Sequence, residues 1–265
     1  MKERSVARPA PEYPTPTGLL KGKTMLITAA AGSGIGGAVA QRAAEEGATL
    51  FLSDMHERRL GETADRIEGL GFARPGTLVC DVTNEEQVQA LVAAAIAGMG
   101  SIDILINNAG LGGAASVVEM TDDQWHKVLD VTLTSVFRMT RAILPHMYER
   151  QKGAIVNNAS VLGWRAQKLQ AHYAAAKAGV MAFTRCSALE AAEHGVRINA
   201  VSPSLAMHAS LSKVTPPGLL EELTEKEAFG RYAEPWEVAN VMMFLASDLS
   251  SYMTGEVLAV SSQQA

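Results

Sequence analysis

The sequence predicts a single-domain α/β fold, a doubly wound parallel sheet with helices on both faces. Three observations predict it. From Lys21 onward, short apolar runs alternate with longer stretches of helical period, the pattern of strands that pair in parallel through crossover helices. A glycine-dense turn, Thr28 to Gly36, joins the first apolar run to the first helical stretch. With 265 residues, 48% of them hydrophobic and 19% charged, the chain suits one large globular domain, and no repeat or low-complexity linker divides it.

The elements follow in order. Residues 24–28 read as the first strand and 35–46 as a helix with Ile35, Val39 and Ala43 on its apolar face. Residues 49–53 form a second strand. A third at 77–80 precedes a helix whose stripe is Val88, Leu91, Val92, Ala95 and Ile96. A fourth strand, 104–106, ends at Asn107-Asn108-Ala109-Gly110. A long helix is predicted over 122–148, bent or ended by Pro145. Residues 154–157 are a fifth strand, 173–194 a long helix, 197–201 a sixth strand and 256–260 the last. Residues 1–20, with Pro9, Pro11, Pro14 and Pro16, read as a flexible or surface-draped arm ahead of a domain spanning 21–265.

Composition excludes several functions. A net charge of −5 gives no reason to expect nucleic-acid binding. No apolar run approaches the ~18 residues of a membrane span, and the N-terminus lacks the apolar core of a signal peptide. The two cysteines, Cys80 and Cys186, lack metal or CxxC spacing and read as buried free thiols; the six histidines show no paired ligand spacing, so no metal is expected. A reducing cytoplasm is the default compartment.

In the turn, Gly32-Ser33-Gly34-Ile35-Gly36 stands where a strand hands over to a helix. Glycines let the backbone approach a pyrophosphate, and the helix N-terminus offers free N–H groups to the phosphates, as in a Rossmann dinucleotide site. Asp54 follows the second strand, where a carboxylate accepts from ribose hydroxyls and repels a 2′-phosphate. No Arg or Lys lies inside the turn, although His56, Arg58 and Arg59 follow Asp54. NAD is therefore expected, with NADP the less favoured cofactor.

Tyr173 and Lys177 stand four positions apart, one turn apart on one helix face. An ammonium beside a phenol is expected to pull its pKa down towards the working range. Ser160 lies thirteen positions upstream of Tyr173.

Together with Asp81-Val82 and Asn107-Asn108-Ala109-Gly110, these residues resemble the short-chain dehydrogenase/reductase family, over nearly the whole chain from Lys21 to Ser261. The resemblance implies that Tyr173 is the general acid or base, that Lys177 lowers its pKa and binds the nicotinamide ribose, and that Ser160 holds the substrate oxygen. It places Asp81 and Val82 against adenine, and Asn108, Ala109 and Gly110 along the cofactor cleft. The family's fourth catalytic member, an Asn, aligns with Thr132, which is not expected to reproduce an amide that both donates and accepts. The family's first turn glycine is Ala29 here, with Gly32 in a shifted position. After the sixth strand, Pro203 is kept, Ser204 replaces a Gly, and His208 stands near a nicotinamide-contacting Thr.

Substrate specificity is expected from 111–115, 162–170 and a lid-like segment from Leu205 to about Phe229, with Trp164, Arg165 and Lys168 as candidate contacts. The runs from Asn158 to Gln167 and His56 to Thr63 resemble bacterial reductases of acyl-CoA intermediates in steroid C/D-ring breakdown. That implies hydride transfer at a hydroxyl or carbonyl of a small or CoA-thioester-linked alicyclic substrate. The alternatives are a 3-oxoacyl reductase using NADPH and a non-catalytic NAD-binding regulatory protein. The family also implies a homotetramer.

Overall fold

The computed structural model describes residues 8–207 and 218–262. Seven parallel strands form one sheet: β1 (Thr24–Ile27), β2 (Thr49–Asp54), β3 (Gly76–Val79), β4 (Ile104–Asn107), β5 (Gly153–Asn158), β6 (Val196–Pro203) and β7 (Val257–Val260). Their order is β3-β2-β1-β4-β5-β6-β7, so the direction of winding reverses between β1 and β4. Ligand clefts of such sheets open there, beyond the strands' C-terminal ends.

Side chains alternate across the sheet with period two. Met25 and Ile27 of β1 and Ile104 and Ile106 of β4 enter one core. It is shared with α1 (Ile35–Glu45), α2 (Glu57–Gly69) and a late helix (Pro235–Ala246). Leu26 and Leu105 point the other way, into a second core with α3 (Glu85–Met99) and two helices described next.

The long helix expected at 122–148 is α4 (Asp122–Leu129), a π-helical turn (Asp130–Thr134) and α5 (Ser135–Glu149). It passes through Pro145, because Ile143 and Met147, fully buried on either side, hold it to the sheet. The Tyr173 helix is α6 (Ala171–Ala192), and α7 (Leu219–Glu225) and α8 (Pro235–Ala246) follow β6. α2 and α8 were not anticipated, although Leu60, Ala64 and Ile67 carry a helical stripe in α2.

The described part of the arm lies on α1. Glu46 accepts from the N–H groups of Thr17 (3.0 Å) and Leu19 (3.0 Å) and pairs with Arg42 at 2.6 Å. Burial opposes its ionisation, yet those bonds and Arg42 hold its pKa below the usual carboxylate value. Cys80 is buried and its thiol is pushed up to about 11 by desolvation. Cys186 is exposed, against expectation, because it falls on the outward face of α6 beside Arg185.

Candidate active site

Several of the residues singled out from the sequence meet where β1, β4 and β5 end. Thr28, just past β1, is buried; its hydroxyl accepts from the N–H groups of Asn108 (3.0 Å) and Ala109 (3.4 Å) and donates to the Ile106 carbonyl (3.3 Å). This clasp joins the two strands that flank the reversal point. Asn108 donates through Nδ2 to the Ala29 carbonyl (3.0 Å) and accepts through Oδ1 from Asn158 Nδ2 (2.9 Å). The Asn158 carbonyl accepts from Lys177 Nζ at 2.5 Å. A polar chain thus runs from the glycine turn to Lys177. Asn158 has a structural part in it that the family motif did not signal.

The turn is tight and leaves backbone N–H groups free. Gly32 adopts φ +85°, the freedom expected of it, and Ala29 itself stands at φ +50°. A Cβ on Gly36 would lie 2.1 Å from the Ala29 carbonyl oxygen and 2.5 Å from Asn108 Nδ2, so only glycine lets α1 start this close to the strand ends. Gly34 caps α1 without a side chain, leaving the N–H groups at Ile35 and just beyond for an anion. Asp54 accepts from the N–H groups of Ala31 (3.1 Å) and His56 (3.0 Å), with lone pairs left for a further donor. Burial raises its pKa; the Ala31 bond and the charge of Arg59 act against that. Thr63 on α2 accepts from the Gly32 N–H at 3.0 Å, a support that required α2 to be foreseen. These residues fit a dinucleotide: a backbone-lined turn for the pyrophosphate and a carboxylate at the ribose end.

Asp81 receives the N–H and hydroxyl of Thr83 on Oδ1 (2.9 and 2.7 Å), and Val82 is buried beside it. Gly110 lies against Lys177, with space for a Cβ only 3.4 Å from Nζ. Pro203 ends β6, and the Ser204 N–H donates to the Val260 carbonyl at 3.1 Å. His208 and much of the lid-like segment lie outside the described residues. Trp164 is half-exposed, and Lys168 adds to the positive field that, behind Lys226, lowers the pKa of Glu222 on α7.

Ser160 precedes a 3₁₀ turn (Val161–Gly163), with Oγ accepting from the Leu162 N–H at 3.2 Å. Tyr173 hydrogen-bonds to Ser160. The expected depression of the Tyr173 pKa is not what the structure gives. Burial pushes the phenol up to about 12, with the Ser160 bond pulling weakly down, and burial pushes Lys177 down to about 7. Both groups resist charge in a dry site. The amine is aimed at the Asn158 carbonyl, with Nζ 5.5 Å from the Tyr173 ring centroid.

Thr132 is tied to the loop after β4. It sits fully buried in the π-helical turn, and its hydroxyl accepts from the Leu111 N–H (3.0 Å) while donating to the Leu111 carbonyl (3.2 Å). A hydroxyl, like an amide, both donates and accepts.

The family profile described as enoyl-(acyl carrier protein) reductase matches residues 29–262. The chain belongs to the short-chain dehydrogenase/reductase family. It is an oxidoreductase acting on a hydroxyl or carbonyl. It is 61% identical, over 96% of its length and 97% of the relative's, to a (5R,7aS)-5-hydroxy-7a-methyl-1-oxo-2,3,5,6,7,7a-hexahydro-1H-indene-carboxyl-CoA reductase of Mycobacterium tuberculosis. A 3-oxoacyl-(acyl-carrier-protein) reductase of Thermotoga maritima is 38% identical over 91% of this chain and 97% of its own. The crystal structure of a short-chain dehydrogenase from Mycobacterium smegmatis superposes with a TM-score of 0.87 at 58% identity, covering 97% of this chain and 99% of that one. Among the described residues no helix is long and apolar enough to cross a membrane, and no cluster of acidic, His or Cys side chains is arranged to hold a metal.

Proposed function

We propose that the chain reduces a ring ketone on a CoA-linked alicyclic, steroid-derived acid, or oxidises the matching alcohol, using NAD. The convergence of Ser160, Tyr173 and Lys177 on the cleft carries this reading. The nicotinamide supplies or accepts the hydride. Tyr173, protonated at neutral pH, donates to the carbonyl oxygen as negative charge develops there. Ser160, already bonded to that phenol, is positioned to share the same oxygen. Lys177, tethered by the Asn158 carbonyl, would hold the ribose of a bound cofactor and would stabilise the phenolate in the oxidation direction. The Thr132 hydroxyl is taken up by Leu111, so Thr132 acts by positioning that loop and is no proton carrier.

Asp54 at the ribose end of the turn supports NAD over NADP. The turn holds no cation, and the exposed Arg58 is paired with Glu62 at 2.5 Å. Identity to the Mycobacterium tuberculosis reductase, well above that to the 3-oxoacyl reductase, supports the bicyclic thioester over a 3-oxoacyl chain. Exposed apolar side chains on α5 and α6, Phe137 and Leu189, support a homotetramer, and the free thiols support a reducing cytoplasm.

The test is reduction of a hydrindane-type keto thioester with NADH and with NADPH by wild type and Tyr173→Phe. The variant is expected to lose about 10²–10⁴-fold in turnover, while NADH binding, read by fluorescence, is retained. Turnover within a few-fold of wild type removes Tyr173 from the chemistry.

A further inference from the structure

Beside Tyr173, at the start of α6, His172 is 2% exposed. Its Nδ1 is buried without a hydrogen-bond partner, and no partner for its ring is found among the described residues. Nε2 faces the loop that leaves β4: a Cβ on Gly113 would stand 3.1 Å from it. A buried polar group without a partner keeps its full desolvation penalty, and such an orphan calls for an occupant.

Space for one adjoins the imidazole ring. A hollow of about 180 Å³ lies between the loop after β4, α4 and His172, walled by residues 111–115, with Gln124, Lys127 and Val128 across it. An apolar cavity of roughly 150 Å³ suffices for a benzene-sized ring. The wall is fixed in place: the Ala115 N–H donates to the Leu169 carbonyl at 3.1 Å, and Thr132 holds Leu111 at both its backbone groups. The same loop begins at Gly110, which lies against Lys177, and His172 directly precedes Tyr173 on α6, so both walls of the hollow are tied to the Ser160–Tyr173–Lys177 site. Burial also favours the neutral imidazole, which donates from one nitrogen and accepts at the other.

We propose that this hollow is a ring-binding subsite in which His172 hydrogen-bonds a ring oxygen of the substrate remote from the reacting carbonyl. The small residues of the loop leave room for a compact alicyclic ring, and His172, the buried one of the three polar side chains lining the hollow beside the exposed Gln124 and Lys127, offers a neutral group to an uncharged oxygen. The proposal rests on the reading of the chain as a reductase of a ring-bearing thioester, and it names how that ring is told apart from a linear acyl chain.

The test compares a hydrindanedione carboxyl-CoA thioester with the counterpart carrying a methylene in place of the remote ketone. Wild type is expected to favour the diketone by about tenfold in kcat/KM, carried in KM, the worth of one buried hydrogen bond. His172→Phe is expected to bring the ratio near one with kcat little changed. His172→Gln, which keeps a donor and an acceptor, restores part of it. Gly113→Ala, crowding Nε2, raises KM for the diketone. An equal loss on both substrates assigns His172 a purely structural role and overturns the proposal, as does a wild type with no preference. Should wild type turn over neither thioester, the substrate reading falls, and the same ratio measured on the free ring diketone and mono-ketone decides the role of His172.

Discussion

Replacing Thr132 by Val removes one hydroxyl and leaves the shape almost unchanged, so the loss isolates what that hydroxyl does. Two hydrogen bonds go, 3.0 Å from the Leu111 N–H and 3.2 Å to the Leu111 carbonyl. Each net bond contributes about 1 kcal/mol, and a backbone group left unpaired in a buried place costs on the order of 1–3 kcal/mol. Leu111 is half-buried, so water reaches part of the deficit. The new methyl, in a fully buried position, returns about 0.8 kcal/mol. The balance is a destabilisation of about 1–3 kcal/mol, read as a shift in the guanidinium unfolding midpoint at constant slope. Because Leu111 opens the loop that walls the hollow beside His172, KM for a ring ketone is expected to rise with it. Thr132→Ser keeps both bonds and should stay within about 1 kcal/mol of wild type. A Val variant as stable as the Ser variant, with unchanged KM, refutes the claim that the hydroxyl organises this loop.

Two further outcomes follow from the site. Lys177 titrates near 7 in the folded chain against 10.5 for the free side chain; the unfolded state therefore binds more protons between these values and stability rises with pH across that window. Lys177→Met should accordingly stabilise the cofactor-free protein most below pH 7, by up to roughly 5 kcal/mol, with the gain fading towards pH 10; a gain that does not change with pH, measured by guanidinium unfolding at several pH values, contradicts the desolvated amine. Ala29 adopts φ +50°, a conformation that costs an L-residue roughly 1–2 kcal/mol and glycine almost nothing; Ala29→Gly should be stabilising by up to about 1 kcal/mol in thermal unfolding after the entropy glycine adds to the unfolded chain, and a clear loss of stability would show that the Ala29 methyl is packed rather than strained.

The sheet was legible because burial on both faces writes each central strand as a nearly continuous apolar run. Met25, Leu26 and Ile27 supply two opposite cores from three consecutive residues. α2 was harder to foresee: its stripe of Leu60, Ala64 and Ile67 is embedded in charge, and its mean character is polar. The π-helical turn was not legible at all. Asp130–Thr134 is ordinary helix by pattern, and the register change there is tied to Thr132 reaching across to Leu111, twenty-one residues away. At the site, residue types singled out the glycine turn and Ser160, Tyr173 and Lys177, and the structure shows the close packing of the turn and the bond between Ser160 and Tyr173. The spacing of Tyr173 and Lys177 did not give their ionisation, because a pKa depends on how much water surrounds both groups, and both are desolvated here.

The orientation of the amide chain also follows from elementary hydrogen-bond accounting. The Ala29 carbonyl can only accept, so the Asn108 amide must present Nδ2 to it and Oδ1 to its other neighbour. That neighbour, Asn158, must then present Nδ2, which leaves its own Oδ1 buried and unpartnered. The polarity of the whole relay is thus set by a single backbone carbonyl of the glycine turn. The conformation of Ala29 that aims this carbonyl is the strained one, and the strain has a use: it fixes the amides next to the strand whose carbonyl holds Lys177. The glycine turn and Lys177 are built as one hydrogen-bonded unit across the reversal point of the sheet.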